Sequence, residues 1–234
     1  MGTGGSVLIN YKSMLEKKIK YSNIKKPLLF VILFLGIFFL GMFLVEFLQS
    51  VTVPNDLQSE RIRLTKTDFN SIPELIVVIM IVPIIEELMY RYGLKFSPNK
   101  TSFLVIGIVY TIYIYFQPKD INWNNPLSLL FFFGGFITLF FISKFFLKAN
   151  KEMVENFYIN NSKLIFIISL VAFAYSHFTL HANYHEIKNI LLSPIILSSY
   201  LIAGFLYGTI RLRLGFIWGI LAHMLWNLLV VYLY

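Results

Sequence analysis

The chain has 234 residues, 57% of them hydrophobic and 18% aromatic, with a mean hydropathy of +0.71, more apolar material than a soluble core of this length calls for. Cysteine is absent, which excludes disulfides, thiolate metal sites and a cysteine nucleophile. The formal charge of +8 does not point to nucleic acid, because the cations cluster at the ends of apolar runs, as positive-inside membrane proteins place them.

Residues 1–26 begin with the Gly-rich MGTGGS and continue through Lys12, Lys17, Lys18, Lys20, Lys25 and Lys26. They read as a flexible, basic, cytoplasmic N-terminus with affinity for anionic lipid. Residues 27–234 read as one all-α, polytopic transmembrane bundle of about seven helices. Its spans are expected at Pro27–Leu48, Ile72–Tyr92, Ser102–Phe116, Pro126–Leu147, Lys163–Leu180, Ile190–Ile210 and Leu214–Tyr234. The short third span leaves room for an eighth, re-entrant or interfacial element. The apolar runs are continuous rather than alternating, and an isolated segment in lipid satisfies its backbone only as a helix, so a barrel is not expected.

The loops predict the topology. Arg91, Lys95 and Lys100 follow the second span, Lys144, Lys148, Lys151 and Lys163 surround the end of the fourth, and Arg211 and Arg213 stand between the last two. These ends are expected in the cytoplasm. The alternate loops mix charges, as with Arg61, Arg63 and Lys66 against Asp56, Glu60 and Asp68, or Lys119 beside Asp120. No internal repeat supports an inverted-repeat transporter.

Ionisable residues inside spans are costly and mark functional positions. Glu46, near the outer end of the first span, reads as a solvated helix end. In the second span Glu87 and Arg91 are four residues apart, the favourable acid-before-base order on one helix face. Glu86 is turned by about 100° from Glu87 in an α-helix. This spacing pairs Glu87 with Arg91 and leaves Glu86 available for chemistry, unless both carboxylates are simply paired or solvated at a helix end. In the fifth span His177, His181 and His185 recur at intervals of four, a spacing that can hold a metal. His181 and His185 fall in a wet loop with Asn183 and Glu186, whereas His177 lies among Phe173, Ala174, Tyr175 and Phe178. In the last span His223 and Asn227 share a face as hydrogen-bond donors, suited either to a developing oxyanion or to interhelical bonding, and Gly215 and Gly219 suit close packing. Counted from Lys95, Lys163 and Arg213 at about 1.5 Å per residue, Glu86, His177 and His223 lie roughly 14, 21 and 15 Å deep. One cytoplasm-facing cavity can therefore collect them.

EELMYR (Glu86–Arg91), FAYSH (Phe173–His177) and HMLWN (His223–Asn227) resemble the E-E-x-x-x-R, F-x-x-x-H and H-x-x-x-N motifs of the CPBP family, the CAAX proteases and bacteriocin-processing enzymes also called the Abi family. They occur in family order across residues 86–227, most of the core expected at about 72–234. The resemblance implies a helical intramembrane endopeptidase in which Glu86 and His177 activate water, His223 and Asn227 form the oxyanion hole, and Glu87 and Arg91 support the site. A buried glutamate beside a histidine can activate water with no cofactor, and no H-E-x-x-H motif is present. Family members are also described as metalloproteases, and zinc on Glu86, His177 and His223 is the alternative. The partners the resemblance implies are membrane lipids and a peptide or lipidated protein substrate. The Ile-, Lys-, Asn-, Phe- and Tyr-rich composition suits an AT-rich bacterial genome, hence a multi-pass cell-membrane protein acting on a pheromone or bacteriocin precursor or a CAAX-like tail. A non-catalytic scaffold or bacteriocin-immunity protein is the alternative function.

Overall fold

The computed structural model describes residues 72–116, 126–178 and 187–233, with isolated helical positions of the first span between Leu29 and Val51. The basic N-terminus, Glu46, His181 and His185 lie outside the described residues. The described residues form eight helices. Helix α1 runs as α-helix Ile72–Ile76, π-helix Val77–Ile81, α-helix Val82–Glu86 and π-helix Glu87–Arg91, closing in a 3-10 turn at Tyr92–Leu94. It is followed by α2 (Pro98–Phe116), α3 (Pro126–Ala149), α4 (Lys151–Asn160), α5 (Ser162–Ser176), α6 (Ile187–Ile196), α7 (Ser198–Arg213) and α8 (Phe216–Leu233).

The boundaries follow from local chemistry. α2 starts four residues before the expected Ser102, because Ser97 caps it by accepting the Lys100 N–H at 3.3 Å and Pro98 occupies its first turn. The stretch expected as a loop after the fourth span is helix α4, turned 90° from α3 between Asn150 and Asn161. Each of these asparagines donates its side-chain amide to a carbonyl of the preceding turn, Phe146 and Phe157 respectively. The single expected span Ile190–Ile210 is two helices bent by 52°. Pro194 removes a backbone donor from the end of α6 and the chain bends at Leu197. α5 ends at Ser176, so His177 sits at its C-cap rather than inside a span. Gly215 takes φ 116° and makes the sharp turn between α7 and α8, so its use is conformational and not interhelical packing.

Among the described residues, one helix, Pro98–Phe116, is long and apolar enough to cross a membrane, or up to three spans if each bent pair counts as one. The outward faces are apolar, with Phe116, Phe145 and Leu191 about three-quarters exposed. The interior is where the polar groups gather, with Glu87, Arg91, Ser169 and His223 all buried. This arrangement suits a chain surrounded by lipid. α7 packs between α5 and α8, and α1 lies against α2, α5 and α8, so the three motif-bearing helices share one core around Phe173 and Tyr207. At one end Lys95 and Lys100 meet Arg211. Burial, then the Arg211 and Lys100 charges, hold the Lys95 amine below its ordinary pKa.

Candidate active site

Glu86 is the last residue of an α-helical turn and Glu87 the first of a π turn. π segments are frequent at functional sites because they re-aim side chains relative to an α-helix. Here both carboxylates meet the same imidazole. Glu86 Oε2 lies 3.4 Å from His223 Nε2, while Glu87 Oε1 lies 3.2 Å from His223 Nδ1. The other Glu86 oxygen, Oε1, lies 3.4 Å from His177 Nε2. Glu86 is thus flanked by two imidazoles, one on each oxygen.

Glu87 is fully buried and its Oε1 accepts a 2.6 Å bond from Arg91 Nη1. The i,i+4 pairing expected from the sequence is present. The expected separation of the two glutamates is only partial, because Glu87 also binds His223. Arg91 lies over the Phe173 ring at 3.9 Å, a cation–π contact in a desolvated place. Gly219 of α8 passes so close that a Cβ there would stand 3.2 Å from Glu87 Oε2.

The tautomers follow from the partners. His177 Nδ1 faces the Phe173 carbonyl at 2.9 Å and must donate to it, leaving Nε2 toward Glu86. That carbonyl is one of the terminal acceptors of α5, and Ser176 Oγ donates to it as well. His223 Nδ1 faces a carboxylate oxygen that also binds Arg91, so it is the donor there. With Nδ1–H committed, His223 donates from Nε2 only as the imidazolium, and each of its two nitrogens then has a carboxylate oxygen as acceptor.

Asn227 does not meet the glutamates directly in this arrangement. Its Nδ2 donates to the Val78 carbonyl at 2.9 Å, and the amide carries a second hydrogen. Two residues that sequence reasoning missed hold the imidazole planes. Tyr200 stacks on His177 with ring centroids 4.3 Å apart and planes 22° apart, and Tyr207 stacks on His223 at 4.3 Å and 17°. Both belong to α7, seven residues apart and so near one helix face. That spacing was the available signal, but it is equally the spacing of ordinary core residues. The sequence marks Phe173 as a motif position and an apolar neighbour of His177. In the structure it supplies the His177 acceptor and a face for Arg91, and its ring edges contact both imidazoles.

A zinc ion would have to be held by Glu86, His177 and His223. Each imidazole has its second nitrogen anchored, as metal-binding histidines do. Even so, among the described residues no three His, Asp or Glu side chains are grouped to hold a metal ion. The Glu86 carboxylate itself stands against both Nε2 atoms. The donor set as arranged suits proton transfer and hydrogen bonding.

A family model described as type II CAAX prenyl endopeptidase Rce1-like matches residues 68–229, which include all six of Glu86, Glu87, Arg91, His177, His223 and Asn227. No curated protein and no solved structure matches the chain.

Proposed function

We propose, for a chain that belongs to the type II CAAX prenyl endopeptidase Rce1-like family and is thereby a membrane protease, that it hydrolyses a peptide bond near the end of a membrane-associated peptide or lipidated protein tail. The observation that carries this reading is the placement of Glu86 between His177 and His223, each Nε2 at 3.4 Å from one carboxylate oxygen. A water held by Glu86 and His177 gives its proton to Glu86, and the hydroxide oxygen attacks the scissile carbonyl carbon. The resulting oxyanion accepts hydrogen bonds from His223 Nε2–H and from the second amide hydrogen of Asn227. Collapse breaks the C–N bond, and the proton taken by Glu86 passes to the leaving amine. Glu87 orients His223 by accepting its Nδ1–H, and Arg91 in turn holds Glu87.

The site opens toward the cytoplasm in this reading. The gathering of Lys95, Lys100 and Arg211 at one end supports it, since such clusters stay on the inner side. The substrate class is a CAAX-like tail or a pheromone or bacteriocin precursor, and membrane lipids are the surrounding partner.

The test uses the full chain in liposomes with two probes, a farnesylated peptide carrying three residues after its cysteine and the same peptide without the lipid. Glu86→Ala and His223→Ala should each lower cleavage by about 100-fold or more. Cleavage of the lipidated probe alone identifies a prenylated substrate, and cleavage of both identifies a general membrane peptide. If both variants match the parent at equal protein levels, the chain acts as a non-catalytic scaffold.

A further inference from the structure

Helix α1 carries Glu86 between two π segments and Glu87 as the first residue of the second, and two of its backbone carbonyls stand outside the helical ladder. At the first, the Val82 N–H, which would serve Val78 in an α-helix, is spent on the Val77 carbonyl. The next residue in π register is Pro83, which has no N–H. Val78 therefore has neither its α nor its π donor. Its carbonyl instead receives the Asn227 amide of α8 at 2.9 Å. At the second, the Tyr92 N–H is likewise drawn back to Glu87. The helix then tightens into the 3-10 turn Tyr92–Leu94, leaving the Tyr90 carbonyl at a helix end without its ordinary donor. Ser169 Oγ of α5, itself buried, donates to that carbonyl. Both freed carbonyls are thus taken by side chains of the two helices that present His223 and, at the end of α5, His177.

We propose that Asn227 and Ser169 are positioning residues, two side-chain clamps, Asn227 on the first π segment and Ser169 on the 3-10 end that follows the second, that hold the irregular register of α1 and so aim Glu86 and Glu87 together at the imidazoles. The physical reason is that a π insertion is worth keeping only if its orphaned carbonyls find donors, because lipid offers none. Loss of the first insertion returns that segment to α register and turns everything beyond it, Glu86 included, by about 100° relative to what precedes it. Glu86 would then face away from at least one imidazole. In this arrangement Pro83 is the residue that makes the first clamp necessary, and Asn227 has a role that exists before any substrate binds. The catalytic part of the proposal rests on the reading of Glu86 as the base, while the clamp itself does not.

The test is a double-mutant cycle on thermal unfolding in detergent, read beside kcat and KM on the farnesylated probe. Pro83→Ala gives residue 83 an N–H that can enter the ladder, so the segment no longer depends on Asn227. Asn227→Ala should lower the unfolding midpoint by about 3 °C in the parent chain and by much less in the Pro83→Ala background. Residue 83 is the π-register donor to Val78, so Pro83→Ala keeps that register and should leave kcat within about twofold of the parent. Ser169→Ala should lower kcat about tenfold or more at unchanged KM in the parent chain, by freeing the end of α1 next to the glutamates. An Asn227→Ala effect that is equal in the two backgrounds, or absent from both, overturns the first clamp. Ser169→Ala with kcat within about twofold of the parent overturns the second. If Pro83→Ala does not accumulate folded, Pro83→Ser supplies the same N–H for the cycle. The unfolding cycle needs no substrate, so a failed protease assignment, seen as unchanged cleavage in Glu86→Ala, is distinct from a failed clamp.

Discussion

The two sides of Glu86 are built differently. On the His223 side everything is sealed: Glu87 is fully buried, His223 is 4% exposed, and Arg91 closes the group at 1%. The polar groups there serve one another, with Arg91 on Glu87 and Glu87 on His223. On the His177 side the side chains of His177 and Glu86 each keep 17% of their surface open, and the imidazole is anchored to a helix-end carbonyl rather than to a charge. The difference teaches a division of tasks. A closed, charged side fixes orientation, because a low-dielectric surrounding strengthens each pairing. In the proposed mechanism the half-open side leaves room for water and a scissile bond beside the carboxylate.

Breaking the sealed side should have the largest effect. Arg91→Ala leaves the buried Glu87 charge with only His223 and removes the cation over Phe173, so it should cost about 3–5 kcal/mol of stability. Thermal unfolding in detergent checks this. A small loss would mean that the pair is not sealed as described. Next in size is Tyr207, which stacks on His223 and is fully buried. Tyr207→Leu should lower kcat about tenfold by freeing the imidazole plane. Its hydroxyl has no hydrogen-bond partner among the described residues, so Tyr207→Phe should keep kcat within about twofold of the parent. If Phe fails as badly as Leu, the ring is not what matters. The matching change on the open side, Tyr200→Leu beside His177, should lower kcat only about threefold, since the Phe173 carbonyl still holds Nδ1. An effect there as large as at Tyr207 would erase the contrast between the sides. The smallest effect is expected from thorough chelation, which should leave cleavage within about twofold. Loss of activity restored by added zinc would replace the carboxylate mechanism with a metal-based one.

Much of the site was legible because short-range spacing carries it. Glu87 and Arg91 meet as the i,i+4 rule requires, and the depth count brought Glu86, His177 and His223 together from three separate helices. The contact between Glu87 and His223 was not legible. It spans 136 residues and depends on α1 leaving the 3.6-residue period, which a helical-wheel estimate assumes throughout. The bend at Leu197, the helix α4 and the end of α5 before His177 were missed for a related reason. Apolar runs mark where a chain can be buried, but Pro194, the flanking asparagines and helix-end hydrogen bonds decide where each helix stops.

The sequence by itself determined that this chain is an apolar helical protein with six polar residues at three motifs, since hydrophobic length, charge placement and i,i+4 spacing are local properties. Only the tertiary structure decided how those residues meet one another. The orientation of Glu86 and Glu87 depends on where the backbone carbonyls of α1 find donors, and Asn227 of α8 and Ser169 of α5 come from other helices. The planes of the two histidines depend on Tyr200 and Tyr207, brought alongside by the packing of α7. Such contacts are set by the register between helices, which no stretch of sequence contains on its own.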